Sequence, residues 1–242
     1  MMNKKNKFYN KLVKKPWGNE YLIYENRKVA AWFLNIKYNK STSLHCHPLK
    51  KTGFIILQGT AKVQIGIYKT NYKIYKPLSI LVLRAGLFHS LKCVSKEPLI
   101  ALEFETPVNK KDLVRFEDLY GRESQPYEDN SHIQLDSSLI LFKRPTKNNC
   151  LKYNFNNFDI LIKYFNNYKT MFKNTKNSVS AILEGKIVDN NSKQVIGYGE
   201  IIKTQTLKIL SKKFNIQKKI LLMQIIKKNN TNIKQGNTIK LN

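Results

Sequence analysis

His45-Cys46-His47-Pro48-Leu49-Lys50-Lys51-Thr52-Gly53-Phe54-Ile55-Ile56-Leu57-Gln58-Gly59 is the stretch whose reading decides the fold. Its first three residues set two imidazoles one residue apart. Side chains of an extended strand alternate between faces, so both rings lie on the same side. The apolar run Phe54 to Leu57 follows, then a glycine turn and another alternating segment, Ala61-Lys62-Val63-Gln64-Ile65. A third histidine arrives in Arg84-Ala85-Gly86-Leu87-Phe88-His89, where Gly86 supports a tight turn and His89 enters the next strand. The chain has 4 histidines, and three of them fall at these glycine-marked turns. Imidazoles so spaced can share one divalent ion through their ring nitrogens. His45, His47 and His89 are therefore the predicted metal ligands.

Outward from this stretch the grammar stays that of strands. Tyr21 to Tyr24, Ala31 to Tyr38, Ile80 to Leu83 and Leu99 to Phe104 are short apolar or alternating runs between turn signals, which indicates an all-β sandwich or barrel. One short helix is expected near Lys110 to Tyr120, with Leu113, Val114, Phe116 and Leu119 as its apolar face and Gly121 as its stop. The polar stretch from Arg122 to Asp136 reads as a linker.

The second half repeats the first. Leu34 to Tyr38 fall on Ile160 to Tyr164, and Ile56-Leu57-Gln58-Gly59 on Ile182-Leu183-Glu184-Gly185. After a shorter loop, Ile80 to Val82 lie over Glu200 to Ile202, and Ile100 to Leu102 over Ile220 to Leu222. Strand, glycine turn and strand recur in order, so each half is read as one copy of a single unit. The boundaries are set at 1–128 for the first domain, 129–145 for the linker and 146–242 for the second domain.

Composition narrows the functions. Two barrels fit within 242 residues, and 42% hydrophobic residues can fill their cores. The 3 cysteines, Cys46, Cys93 and Cys150, are too few and too scattered for a disulfide framework. No apolar segment follows the basic N-terminus, and the run Ile220 to Ile226 is far short of a membrane span, so a soluble cytoplasmic protein is expected, with no membrane partner. The net charge of +27 invites a nucleic-acid reading, but the lysines are spread evenly through both halves. A nucleic-acid surface concentrates its basic residues on one stripe or arm. The charge instead suits attraction of an anionic small molecule.

His45 to Gly59 and Arg84 to His89 resemble the two motifs of the cupin superfamily, and the resemblance runs through residues 15–107. It implies two tandem cupin barrels (double-stranded β-helix, or jelly roll), the second degenerate, with one short helix after the first. Two departures stand out: Thr52 occupies the position of the usual glutamate ligand, and Arg84 that of the proline opening the second motif. The equivalent positions of the second copy hold Met171, Lys173, Ser178 and Ile209, which cannot bind a metal in the same way. A closer likeness is to the cupin half of type II mannose-6-phosphate isomerases, carried by Lys15-Pro16-Trp17-Gly18 and Ile56-Leu57-Gln58-Gly59-Thr60-Ala61.

These residues imply a divalent ion, Zn, Mn or Fe, on the three histidines. Glu103 and Arg84 are the candidate catalytic groups, with Glu105 a second carboxylate on the same strand. Lys15, Trp17, Arg115 and Arg122 are the candidate substrate contacts. The two arginines could clamp a phosphate, or Arg115 could pair with Asp112 along a helix; Trp17 could equally plug the barrel end. Three functions follow. The first is a metal-dependent isomerase or epimerase acting on a sugar phosphate or nucleotide sugar in carbohydrate or polysaccharide metabolism. The second is a three-histidine Fe(II) dioxygenase, and the third a non-catalytic sugar-binding or assembly cupin. The partner in the first case is a phosphorylated sugar, and a homodimer is one assembly open to the chain.

Overall fold

The computed structural model describes residues 7–127, 132–137, 139–146, 149–172 and 177–228. The first half opens with β1 (Lys11–Lys15), β2 (Gly18–Glu25), β3 (Ala30–Ile36), β4 (Leu44–Cys46), β5 (Lys51–Gln58) and β6 (Ala61–Ile65). It continues through β7 (Tyr72–Tyr75), β8 (Ile80–Leu83), β9 (His89–Cys93), β10 (Leu99–Thr106), β11 (Val114–Glu117) and β12 (His132–Gln134). The second half holds β13 (Leu151–Phe155), β14 (Phe158–Phe165), β15 (Ser178–Glu184), β16 (Ile187–Val188), β17 (Gln194–Ile196) and β18 (Ile201–Lys203). Then come α1 (Thr204–Leu210), β19 (Asn215–Ile216) and β20 (Ile220–Lys227).

The strands form four antiparallel sheets. One runs β12-β1-β2-β3-β10-β5-β8 and faces β11-β4-β9-β6-β7, closing the first barrel. The other pair is β13-β14-β20-β15-β18 and β17-β16-β19. The order β2-β3-β10-β5-β8 recurs as β13-β14-β20-β15-β18, so the repeat read from sequence is a repeat of topology. The fold is all-β with tandem units, as expected.

Alternation along each strand sorts the core into layers. Leu22, Trp32, Leu34, Phe54, Ile56 and Ala101 point into the first barrel. Their neighbours Tyr21, Ile23, Phe33, Ile55, Ile100 and Leu102 point the other way and pack against Phe155, Ile160, Ile162, Ala181, Met223 and Ile225 of the second unit. The two large sheets thus lie back to back over one shared apolar layer. The second barrel's own interior is smaller, built on Phe165, Met171, Ile182, Leu207 and Leu222. Polar contacts pin the same junction: Asn26 Nδ2 donates to the Leu183 carbonyl at 2.8 Å, and Lys51 pairs with Glu200.

Three expectations need correction. Lys110 to Tyr120 is not a helix; β11 lies within it, pairing Arg115 with His45 of β4. The reason is alternation: Arg115 is buried while Val114 and Phe116 face solvent, a period of two that the apolar residues alone disguised. The helix of the described residues is Thr204–Leu210, inside the second unit. The repeat also slips on two strands. Leu34 faces the first barrel's interior, whereas Ile160 faces the shared layer, so the pairing of these two puts opposite faces together. Phe33 opposite Leu102 is matched instead by Ile162 opposite Met223. Finally, the stretch between the units is not a bare linker, since His132–Gln134 adds a strand to β1 and Leu135 and Phe142 are buried in the shared layer.

Candidate metal centre

Strand geometry places the three histidines. His45 is the middle residue of β4 and stands directly across from His89 at the start of β9, and His47 follows two residues on. The ring centroids are 4.5 Å apart for His45 and His89, 4.9 Å for His45 and His47, and 5.5 Å for His47 and His89. All three rings are buried, and one ligand nitrogen from each lies within 4.8 Å of the others.

Each ring is also oriented by its Nδ1. That of His45 donates to the Ser43 carbonyl at 2.9 Å, that of His47 to the Asp112 carbonyl at 2.6 Å, and that of His89 to the Leu87 carbonyl at 3.0 Å. A main-chain carbonyl can only accept, so the Nδ1 atoms carry the protons and the Nε2 lone pairs are left for a ligand. Nε2 of His47 and of His89 is buried without a hydrogen-bond partner, an arrangement that costs free energy unless something occupies it. Burial, then the repulsion among the rings, holds His45 and His47 far below the usual imidazole range. Burial brings His89 down to about 4. Three neutral, pre-oriented imidazoles are the donor set a divalent ion takes, so the residues fit the group.

The rest of the cavity is a buried charge network. Its lining includes Lys15, Trp17, Glu20, Lys50, Glu103 and Lys110, and the stretch from Leu113 to Tyr127 adds Leu113, Arg115, Arg122 and Tyr127. Glu103 Oε1 lies 3.9 Å from His47 Nε2, and its Oε2 lies 3.8 Å from Lys110 Nζ. Lys110 also reaches Glu20 at 3.4 Å and Glu105 at 3.3 Å, and sits 3.8 Å over the Trp32 ring. Lys50 holds Glu105 at 2.7 Å. Burial is the main cause that lifts the Glu103 carboxyl up to about 7, with Lys110 opposing it and Glu105 adding to it. Glu105, gripped by Lys110 and Lys50, is held below the usual carboxylate range against the cost of its burial.

Of the residues named from sequence, His45, His47, Glu103, Lys15, Trp17, Arg115 and Arg122 line one cavity, and His89 completes the histidine group behind it. Arg84 is exposed at the turn before β9 and is absent from that lining. Arg122 grips Asp118 with two nitrogens, at 2.7 and 2.9 Å. Arg115 donates to the carbonyls of Gln125 and Pro126, at 2.5 and 2.9 Å. Asp112 is not its partner, accepting instead from the backbone N–H groups of Leu49 and Lys50. Thr52 is 1% exposed, and its Oγ1 is buried without a partner two residues before the cavity-lining Phe54. Lys50, Lys110, Glu20 and Tyr127 escaped sequence reading. The lysines were hidden among 43 basic residues, although Glu103 and Glu105, spaced by two, already signalled an acidic stripe on one face.

In the second unit, Met171 is fully buried, Ser178 shares a 2.5 Å hydrogen bond with Thr204, and Ile209 is exposed on α1. Lys173 lies outside the described residues. Among the described residues the grouping able to hold a metal is the histidine group alone, and no helix is long and apolar enough to cross a membrane.

The chain is similar to several known proteins. Residues 2–118 match the family described as mannose-6-phosphate isomerase, C-terminal. The xanthan biosynthesis protein XanB of Xanthomonas campestris is 30% identical over 120 residues, which is 47% of this chain and 24% of that one. The mannose-1-phosphate guanylyltransferase ManC of Salmonella typhimurium is 29% identical over 116 residues, 46% of this chain and 23% of that one. The chain thus spans about a quarter of the length of these curated relatives. Among solved structures, a double-stranded β-helix protein of Klebsiella pneumoniae covers 41% of this chain and 84% of its own, with TM-score 0.37 and 17% identity. The capsular polysaccharide assembling protein CapF of Staphylococcus aureus covers 44% of this chain and 34% of its own, with TM-score 0.39 and 12% identity. Over residues 2–118, just under half of its length, this chain is similar to the mannose-6-phosphate isomerase C-terminal family.

Proposed function

We propose that the first barrel is a metal-dependent isomerase or epimerase of a phosphorylated sugar, with Zn, Mn or Fe held by His45, His47 and His89. The observation that carries this reading is the pairing of three Nε2-presenting imidazoles with a carboxyl group, Glu103, 3.9 Å from one of them and titrating near neutrality. A metal held there would supply polarisation of a carbonyl and its neighbouring hydroxyl. In this reading Glu103 Oε1 takes the proton from the carbon beside the carbonyl and returns it to the former carbonyl carbon, while the hydroxyl proton passes to the former carbonyl oxygen; such transfer is most efficient with a group whose pKa lies near the working pH. Lys110, 3.8 Å from Oε2, steadies the carboxylate in its charged form. Lys15, Arg115 and Arg122 supply positive charge along the same wall for the phosphate.

The cavity encloses about 60 Å³, and water fills about 30 Å³ per molecule in the liquid. It accommodates an ion with a water and not a sugar ring. In this reading the stretch after β11, which brings Arg122 and Tyr127 to the cavity, moves outward to admit substrate, while Lys110 stays on its three glutamates. The dioxygenase alternative draws on Thr52, which leaves the histidines without the usual carboxylate ligand; Glu103 beside His47 weighs for proton transfer instead. The test is to load the protein separately with Zn, Mn and Fe, then assay aldose–ketose sugar-phosphate interconversion and oxygen uptake. The expected result is interconversion that disappears in His45→Ala/His47→Ala and falls at least 100-fold in Glu103→Gln. Iron-dependent oxygen consumption without interconversion would transfer the chain to the dioxygenases. Metal content that survives the double histidine change would overturn the site itself.

A further inference from the structure

A second concavity, sharing no lining residue with the histidine cavity, lies where loops of the two units meet. Three turns and part of the inter-unit stretch build it. Glu25 to Lys28 join β2 to β3, Glu184 to Lys186 join β15 to β16, and Gln217 to Lys219 join β19 to β20, with Arg144, Tyr164 and Tyr198 completing the lining. Its volume is about 760 Å³, within the range of small-molecule sites of about 300–1,000 Å³. Six cationic side chains line it (Arg27, Lys28, Arg144, Lys186, Lys218 and Lys219) against the two carboxylates Glu25 and Glu184.

Part of this lining is fixed in place. Arg144 Nη2 donates to Glu184 at 2.7 Å and its Nε to Tyr164 Oη at 2.9 Å, while Tyr164 donates to Glu184 at 2.8 Å. Lys219 Nζ sits 4.5 Å from the Tyr164 ring centre. Gly185 brings two of the turns into contact so closely that a Cβ there would meet the Lys219 carbonyl oxygen at 2.3 Å. Asn26 ties the third turn to the second unit through the Leu183 carbonyl. Beside the Arg144–Glu184 pair the lining holds five cations and one carboxylate around one concave space. Like charges gathered this way repel one another, and a concave, low-dielectric wall focuses their field on an anion.

We propose that this cleft is an anion site for a diphosphate-bearing ligand of nucleoside-diphosphate size, separate from the histidine centre. The lining's excess of four positive charges, six cations against two carboxylates, is enough to neutralise the two to three negative charges of a diphosphate. Tyr164 and Tyr198 offer aromatic faces for a ring, and the volume takes one nucleotide rather than a bare ion. The site belongs to neither unit alone, since Arg27 and Lys28 come from the first and Lys186, Lys218 and Lys219 from the second.

Equilibrium binding of inorganic pyrophosphate and of a nucleoside diphosphate to the full chain tests this. The comparison is with Lys186→Ala/Lys218→Ala/Lys219→Ala, and with a control, Lys73→Ala/Lys92→Ala/Lys96→Ala, that removes the same charge from exposed positions outside the cleft. The expected result is saturable binding, tighter for the nucleoside diphosphate than for pyrophosphate, weakened at least tenfold in the cleft variant and less than threefold in the control. His45→Ala/His47→Ala should leave it unchanged. Equal weakening in both triple variants would show only the diffuse attraction of a chain of charge +27 and overturn the site. So would the absence of saturable binding, or binding lost with the histidines. Equal affinity for the two probes would remove the nucleotide and with it the proposal as stated.

Discussion

Thr52 faces its neighbours with a buried hydroxyl that has no partner, and its cross-strand neighbour on β10 is Glu105. Thr52→Glu therefore puts a carboxylate on the interior face and close to two others. Metal should be retained longer against a chelator, because an anionic oxygen donor joins three neutral nitrogens. The metal-free variant should melt lower, because like charges then share a buried strand pair. Side-by-side chelation half-times decide the first part, and equal half-times would show that position 52 does not reach the ion. Acid sensitivity belongs to the same scale. The folded state holds His89 at about 4, while the unfolded chain takes up that proton near 6.5. The unfolded state thus binds more protons between these values, and stability is lost as pH falls through that window. His45 and His47 act in the same direction. Glu103, raised to about 7, acts oppositely, favouring the fold at low pH and less so as pH rises through 7. Three groups outweigh one, so the melting temperature of the metal-free protein should drop between pH 7 and pH 5. A rise over that interval would contradict the buried neutral imidazoles.

Turns that let strands approach closely are the elements on which both units depend. Gly185 has φ +82°, and an added Cβ would strike the Lys219 carbonyl and the Ile220 Cα. Gly86, with φ +75°, has nothing within 4 Å of an added Cβ. Gly185→Ala should thus cost both backbone strain and a displaced strand, about 3 kcal/mol, whereas Gly86→Ala should cost about 1 kcal/mol. Urea denaturation of the two variants checks the ordering, and equal losses would refute it. The elements also show what a reader of sequence could see. The His45 and His47 spacing, the Gly86 turn before His89 and the Gly59 and Gly185 turns are local patterns, and each sits where its pattern implied. What was not legible depends on faces and partners. Leu34 and Ile160 are both apolar, and only the pairing of neighbouring strands shows that they look into different layers. Lys110 is one lysine among many until the fold brings it to three glutamates. Arg115 resembled a helical residue because its flanking Val114 and Phe116 are apolar, yet they are exposed.

Taken whole, the molecule is a stack of sheets whose middle layer belongs to both units. A fragment ending at residue 128 would uncover Tyr21, Ile23, Phe33, Ile55 and Leu102, an apolar face larger than monomeric surfaces tolerate. Such a fragment should self-associate on size-exclusion chromatography at concentrations where the full chain does not. A dispersed monomer with unchanged melting would show that the layer is dispensable. The same layer means that the two barrels share their fate on unfolding. A metal ion that binds only the folded state raises stability by about 4 kcal/mol when present at a thousand times its dissociation constant. That gain is not confined to the strands bearing histidines, because the first barrel cannot open without uncovering the second unit's side of the shared layer. The barrel with no ligands of its own becomes the reporter: amide protons of β14 and β20, remote from the ion, should exchange more slowly in the metal-loaded protein and quicken together when it is chelated.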